Sequence, residues 1–80
     1  MKKDNLKSET LQKVVGKLIK RKRKEKGISQ RQLSMLIYGN PWSDVNISKI
    51  ERGIVSTDLQ TLEKILLHLD TNLNELINNF

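Results

Sequence analysis

Apolar residues recur along this chain at three- and four-residue intervals, without a convincing alternating stretch, which is how helices with one buried stripe are written. Leu11, Val14, Val15, Leu18 and Ile19 make the first stripe, with Lys13, Lys17, Lys20 and Arg21 on the remaining faces. The pattern predicts a helix from Glu9 to about Lys26, stopped at Gly27, a residue free to take the left-handed conformation of a helix C-terminus. Ser29 and Gln32 then stand at capping-box spacing, so a second helix starts there and buries Leu33 and Ile37, with Met35 or Leu36 at its edge. Gly39-Asn40-Pro41 breaks it, because proline lacks the amide hydrogen a continuing helix needs.

Ser43, followed by Asp44, has the chemistry of the next N-cap, and Ile47 and Ile50 mark a short third helix ending near Arg52 with Gly53 as its stop. Thr57 and Gln60 offer a further capping box for a fourth helix with the stripe Leu59, Leu62, Ile65, Leu66 and Leu69. Asn72 and Glu75 repeat the signal more weakly before Leu73, Leu76 and Ile77, a short fifth helix. Five helices with short connections make an all-α domain over residues 9–80, preceded at residues 1–8 by a polar, lysine-rich, flexible arm.

Eighty residues allow one core, so a two-domain enzyme is excluded. With no cysteine and one histidine, His68, the chain has neither a disulfide framework nor the donors for a zinc site, and no acid–base or nucleophilic constellation assembles. Charge adds more. Fifteen Lys and Arg against nine Asp and Glu give +6, and the excess is lopsided: residues 1–26 carry a net +8 and the remainder a net −2. Such asymmetry fits an anionic partner, nucleic acid or membrane surface. No apolar run is long enough to span a membrane and no signal peptide is recognisable, so a soluble cytoplasmic protein is expected.

A short helix, a glycine-containing break and a second short helix, each with one apolar stripe, is the pattern of a helix-turn-helix. In such units the second helix lies in the DNA major groove, apolar residues inward and polar ones outward. The third helix has that division, with Ile47 and Ile50 on one side and Asp44, Val45, Asn46, Ser48 and Lys49 on the outward or flanking surface.

From Val15 to about Leu76 the chain resembles the Cro/CI-type, or XRE-like, helix-turn-helix domains. Val15-Gly16 with Ile19 and Arg23 looks like the family's first-helix signature and Lys26-Gly27-Ile28-Ser29-Gln30 like the start of its second helix. Ile47-Ser48-Lys49-Ile50-Glu51-Arg52-Gly53 looks like the end of its recognition helix, and Leu73-Asn74-Glu75-Leu76 is similar to its closing turn. The resemblance implies a compact five-helix lambda-repressor-like domain that reads double-stranded DNA through residues 43–52. It further implies that Gln30 touches a phosphate, that Ser43, Asp44, Val45, Asn46 and Lys49 face the groove, that Arg31 and Arg52 belong to the same DNA-binding surface, and that Arg23 and Glu51 form a structural ion pair. Asn46 suits an adenine edge, Lys49 guanine or phosphate, and Val45 a thymine methyl.

Departures from the family pattern carry expectations of their own. The interval from Ile37 to Ile47 is three residues longer than usual, an insertion around Gly39-Asn40-Pro41, and Trp42 is expected to plug the enlarged gap between the second and third helices. Ile54 and Val55 replace basic or polar residues and point to a dimer or partner contact instead. Lys22 stands where an apolar residue is usual, with a stem that can snorkel. Asp44 would repel phosphate unless it caps the third helix or accepts from cytosine N4. The run Lys20-Arg21-Lys22-Arg23-Lys24 reads equally as a solvated helix end and as a DNA clamp.

The expected function is therefore sequence-specific DNA binding by a non-enzymatic transcriptional regulator, of repressor type, acting as a homodimer without cofactor or metal. Leu73, Leu76, Ile77 and Phe80 form a short apolar edge whose simple reading is core closure and which is also a candidate dimer seam. An antitoxin, a restriction-modification controller, or the DNA-binding part of a larger sensor with a regulatory protein partner fits the same features. A basic membrane-surface or protein-interaction module is the alternative from another class, although the first helix lacks the Trp or Phe a membrane face favours.

Overall fold

A computed structural model describes residues 10–72, 74, 75 and 78. Four α-helices are present among them: α1 (Leu11–Lys26), α2 (Gln30–Tyr38), α3 (Asp44–Glu51) and α4 (Leu59–His68), with a single 3-10 turn, Pro41–Ser43, leading into α3. The expected fifth helix rests on Leu73, Leu76 and Ile77, which lie outside the described residues, as does the arm over residues 1–8. Four helices are thus established among the described residues; where the fifth is expected, Asn74, Glu75 and Asn78 are helical and Asn72 Oδ1 accepts from the Glu75 amide at 3.1 Å, the contact its capping signal calls for.

Local chemistry explains most helix ends. Thr10 caps α1 by accepting from the Lys13 amide, and Gly27 ends it at φ 75°, in the left-handed region. Ser29 and Gln32 form a reciprocal capping box at 3.0 and 2.7 Å. Two expected caps differ. Ser43 makes no side-chain cap bond, because the 3-10 turn already delivers helical geometry there and Asn40 does the capping one element earlier, accepting from the Trp42 amide. At α4 the cap is Asp58, accepting from Thr61, rather than Thr57 with Gln60. The stop after α4 is Asp70 at φ 57°, a conformation aspartate tolerates better than most residues.

The core cluster takes Val15 and Ile19 from α1, Leu33 and Ile37 from α2, Ile47 and Ile50 from α3, and Ile65 of α4 with Leu69 just past its end, with Ile28 and Leu62 packed against it. Each fully buried aliphatic side chain is worth about 1.5–3 kcal/mol relative to exposure, so this cluster is the main stabilising element. Leu11 and Leu59 lie on the apolar stripes in sequence yet are exposed, since each sits in the first turn of its helix, beyond the reach of the core. Where α1 crosses α3 the backbones approach so closely that a Cβ built on Gly16 would lie 2.5 Å from the Glu51 carbonyl oxygen and still closer to that of Ile50.

Charged side chains tie the periphery together. Lys64 Nζ donates to the Ile37 carbonyl at 3.0 Å, linking α4 to the end of α2, and Lys22 and Lys26 of α1 bond Glu75 and Asp70 beyond α4. The Lys22 and Lys26 bonds hold the Glu75 and Asp70 carboxyls below their ordinary values, and the Thr61 hydrogen bonds do the same for Asp58. A depressed carboxylate contributes stability above its unfolded pKa and loses it as pH falls through the folded one. The melting temperature should therefore hold steady from neutral pH to about 5 and decline below about 4, as thermal melts in a buffer series would measure. These groups are exposed, so added salt should flatten the profile.

Candidate nucleic-acid interface

The surface of interest begins with what is turned away from it. Ile47, Ile50 and Glu51 of α3 are buried, which leaves Val45, Asn46, Lys49 and, just past the helix end, Arg52 exposed. Spacings of three, four and seven residues put Val45, Lys49 and Arg52 along one side, with Asn46 next to them. Ser43 and Asp44 are half-buried at the N-terminal end of this surface. Arg52 Nε is directed back at the Ser48 carbonyl, 3.4 Å away, so its guanidinium stays close to its own helix.

Behind the surface sits a buried polar knot. Arg23 of α1 donates from Nε to Glu51 Oε2 at 2.6 Å and from Nη2 to Oε1 at 3.1 Å, while its Nη1 donates to the Ile28 carbonyl at 3.0 Å. Gln30 of α2 adds its Nε2 to Glu51 Oε1 at 3.0 Å. A carboxylate at the end of α3 thus accepts three hydrogen bonds from two other helices, and with Arg23 and Glu51 only 8% and 6% exposed, water hardly competes. Charge-assisted, two-pronged bonds of this kind fix direction as well as distance. Nothing in the spacing of the sequence pairs Gln30 with Glu51. The bond leaves Gln30 one amide N–H for an outside acceptor.

A second cluster lies at the α2–α3 connection. Trp42 does not plug the gap; it is 70% exposed. The inserted residues close the space with polar atoms instead: Ser34, fully buried, donates its hydroxyl to the Asn40 carbonyl at 2.6 Å, and the 3-10 turn swings the indole outward. Arg31 stacks its guanidinium over the indole, 4.8 Å from the ring centroid, and points Nε at Asp44 Oδ2, 3.4 Å away. Arg31 thus sets a positive charge beside Asp44, which offsets part of its repulsion for a polyanion without requiring a capping role.

Other candidates disperse. In the run from Lys20 to Lys24, Arg23 is buried against Glu51, Lys22 is bound to Glu75, and Arg21 pairs with Glu25 at 3.8 Å, so the five charges form no single stripe. Lys22 is half-buried, with its ammonium between Glu75 Oε1 at 2.8 Å and Glu25 Oε1 at 3.7 Å. His68 places Nδ1 2.9 Å from the Lys64 carbonyl on its own helix. Ile54 and Val55 are exposed in the loop after α3. Among the described residues no group of three His, Asp or Glu could hold a metal ion, and no helix is long and apolar enough to cross a membrane.

Two short helices joined by a turn, the second presenting a mostly polar face and anchored from behind, define a helix-turn-helix DNA-binding domain. A family model described as helix-turn-helix matches residues 19–76, and the chain belongs to this family, the XRE/Cro-CI type. No curated protein and no solved structure matches it.

Proposed function

We propose that this protein is a dimeric, sequence-specific transcriptional regulator of repressor type that inserts α3 into the DNA major groove. The observation that carries the reading is the exposed side of α3 held at a fixed orientation by the Arg23–Glu51–Gln30 knot, in a chain of a DNA-binding family. Asn46 and Lys49 supply base-edge hydrogen bonds and Val45 an apolar contact for a thymine methyl, each good base contact being worth ~1–3 kcal/mol of discrimination. Ser43 and Asp44 flank these at the helix start. Gln30 and Arg52 set register through phosphates, contacts that carry no sequence information.

Pairing of two copies is supported by the exposed apolar residues Ile54 and Val55 after α3, and by Leu59 and Leu67, which are exposed on α4. Two-fold pairing would set two α3 helices on half-sites about 34 Å apart.

Selection of bound duplexes from random sequence tests the reading. A palindromic consensus is expected, with affinity for it falling linearly in log salt at a slope of about −0.9 per phosphate neutralised. Equal affinity for every duplex, or attachment only to anionic vesicles, would reject it.

A further inference from the structure

The exposed indole of Trp42 has no role in the reading above, and its surroundings are built rather than accidental. Asn40 caps the 3-10 turn through the Trp42 amide, the buried Ser34 hydroxyl holds the Asn40 carbonyl, and Arg31 covers one region of the ring. The backbone at Trp42 is thus fixed by the braced turn and its ring is contacted by Arg31, yet the residue exposes 70% of its surface two residues before α3, at the end of a recognition helix that meets DNA first.

We infer that Trp42 and Arg31 form a second DNA contact, a clamp on the deoxyribose-phosphate wall beside the groove that α3 enters; this rests on the DNA-binding reading. The chemistry selects that wall over the base edges. Among the described residues the indole N–H has no acceptor, and Arg31, whose Nε faces Asp44, has both terminal amino groups without a partner. The site therefore offers three or more unmet N–H groups beside a flat apolar surface. A phosphate is all acceptor and carries charge, and the adjoining deoxyribose is apolar, so the two together match the cluster. A base edge offers apolar surface only at thymine and mixes donors with acceptors. Arg31 gains twice, since stacking on the indole preorganises its fork for a phosphate oxygen. The three-residue insertion lengthens the turn, and with it the wall contact, without altering the residues of α3.

Trp42 is the only tryptophan, so its emission reports on itself alone. The full chain is titrated with the duplex recovered by selection and with a scrambled duplex of equal length. Saturation with the selected duplex should quench and blue-shift the emission. With labelled duplexes read by anisotropy, Trp42→Ala and Arg31→Ala should each weaken binding about tenfold, equivalent to ~1.4 kcal/mol. The loss should be alike on the selected duplex and its single-base variants, leaving their rank order intact, and Trp42→Phe should fall between. Unchanged melting temperatures would certify that these exposed substitutions leave the fold alone. Saturable binding with unaltered emission, an unchanged Kd for Trp42→Ala, or a loss confined to particular base pairs overturns the clamp and leaves the regulator reading standing. Failure of selection to return any preferred duplex overturns both.

Discussion

Truncating Glu51 to alanine is expected to cost about 3–5 kcal/mol of stability, the usual consequence of leaving one member of a buried ion pair without its partner. Three N–H groups, two on Arg23 and one on Gln30, would lose their acceptor at once, and Arg23 would remain almost wholly buried with only the Ile28 carbonyl to face. Desolvation offsets most of the attraction in the intact pair, so the intact pair orients more than it stabilises. The double variant Arg23→Met with Glu51→Leu should accordingly recover much of the lost stability while still binding DNA more weakly than the parent. Urea denaturation and duplex affinity, measured on both variants, separate the two effects. A Glu51→Ala protein that melts and binds like its parent would refute the role assigned to the knot.

Gly16→Ala should also destabilise strongly, with a sign opposite to the one helix propensity dictates. In an exposed helix interior the change would gain about 1 kcal/mol. Here the new methyl would meet the carbonyl oxygens of Ile50 and Glu51, and backbone cannot rotate aside as a side chain does. Overpacking costs ~1–3 kcal/mol when side chains yield and more when they do not, so a net loss of about 2 kcal/mol or greater is expected. The only relief is to separate α1 from α3, which would stretch the Arg23–Glu51 bonds, so duplex affinity should decline with stability. Circular dichroism melts and anisotropy titrations of this single variant measure both.

The helices were legible in the sequence to within a residue or two because their signals are local: the Ser29–Gln32 box, the Gly27 stop, and the isoleucine spacing that buries Ile47 and Ile50 and thereby exposes Asn46 and Lys49. Competing local signals caused the small errors. Thr57 and Asp58 are both good caps, and only the packed position of α4 decides for Asp58. Trp42 departs from its expected place for a different reason. Its size argued for burial, but whether a gap exists depends on how the inserted turn is braced, and the brace is a hydroxyl of α2, Ser34, with no sequence signature of its own. The Gln30–Glu51 and Arg31–Asp44 contacts were equally invisible, since each joins residues whose approach depends on the angle between two helices.

The knot also limits where this module can be cut. Arg23 and Glu51 are 28 residues apart, and the counter-charge for the last residue of α3 comes from a helix that precedes the helix-turn-helix pair. A peptide excised from residue 29 to residue 53 would keep every groove-facing side chain yet lose both the guanidinium that neutralises Glu51 and the glycine groove in which α3 lies. Grafting this reader onto another scaffold therefore means transplanting α1 with it.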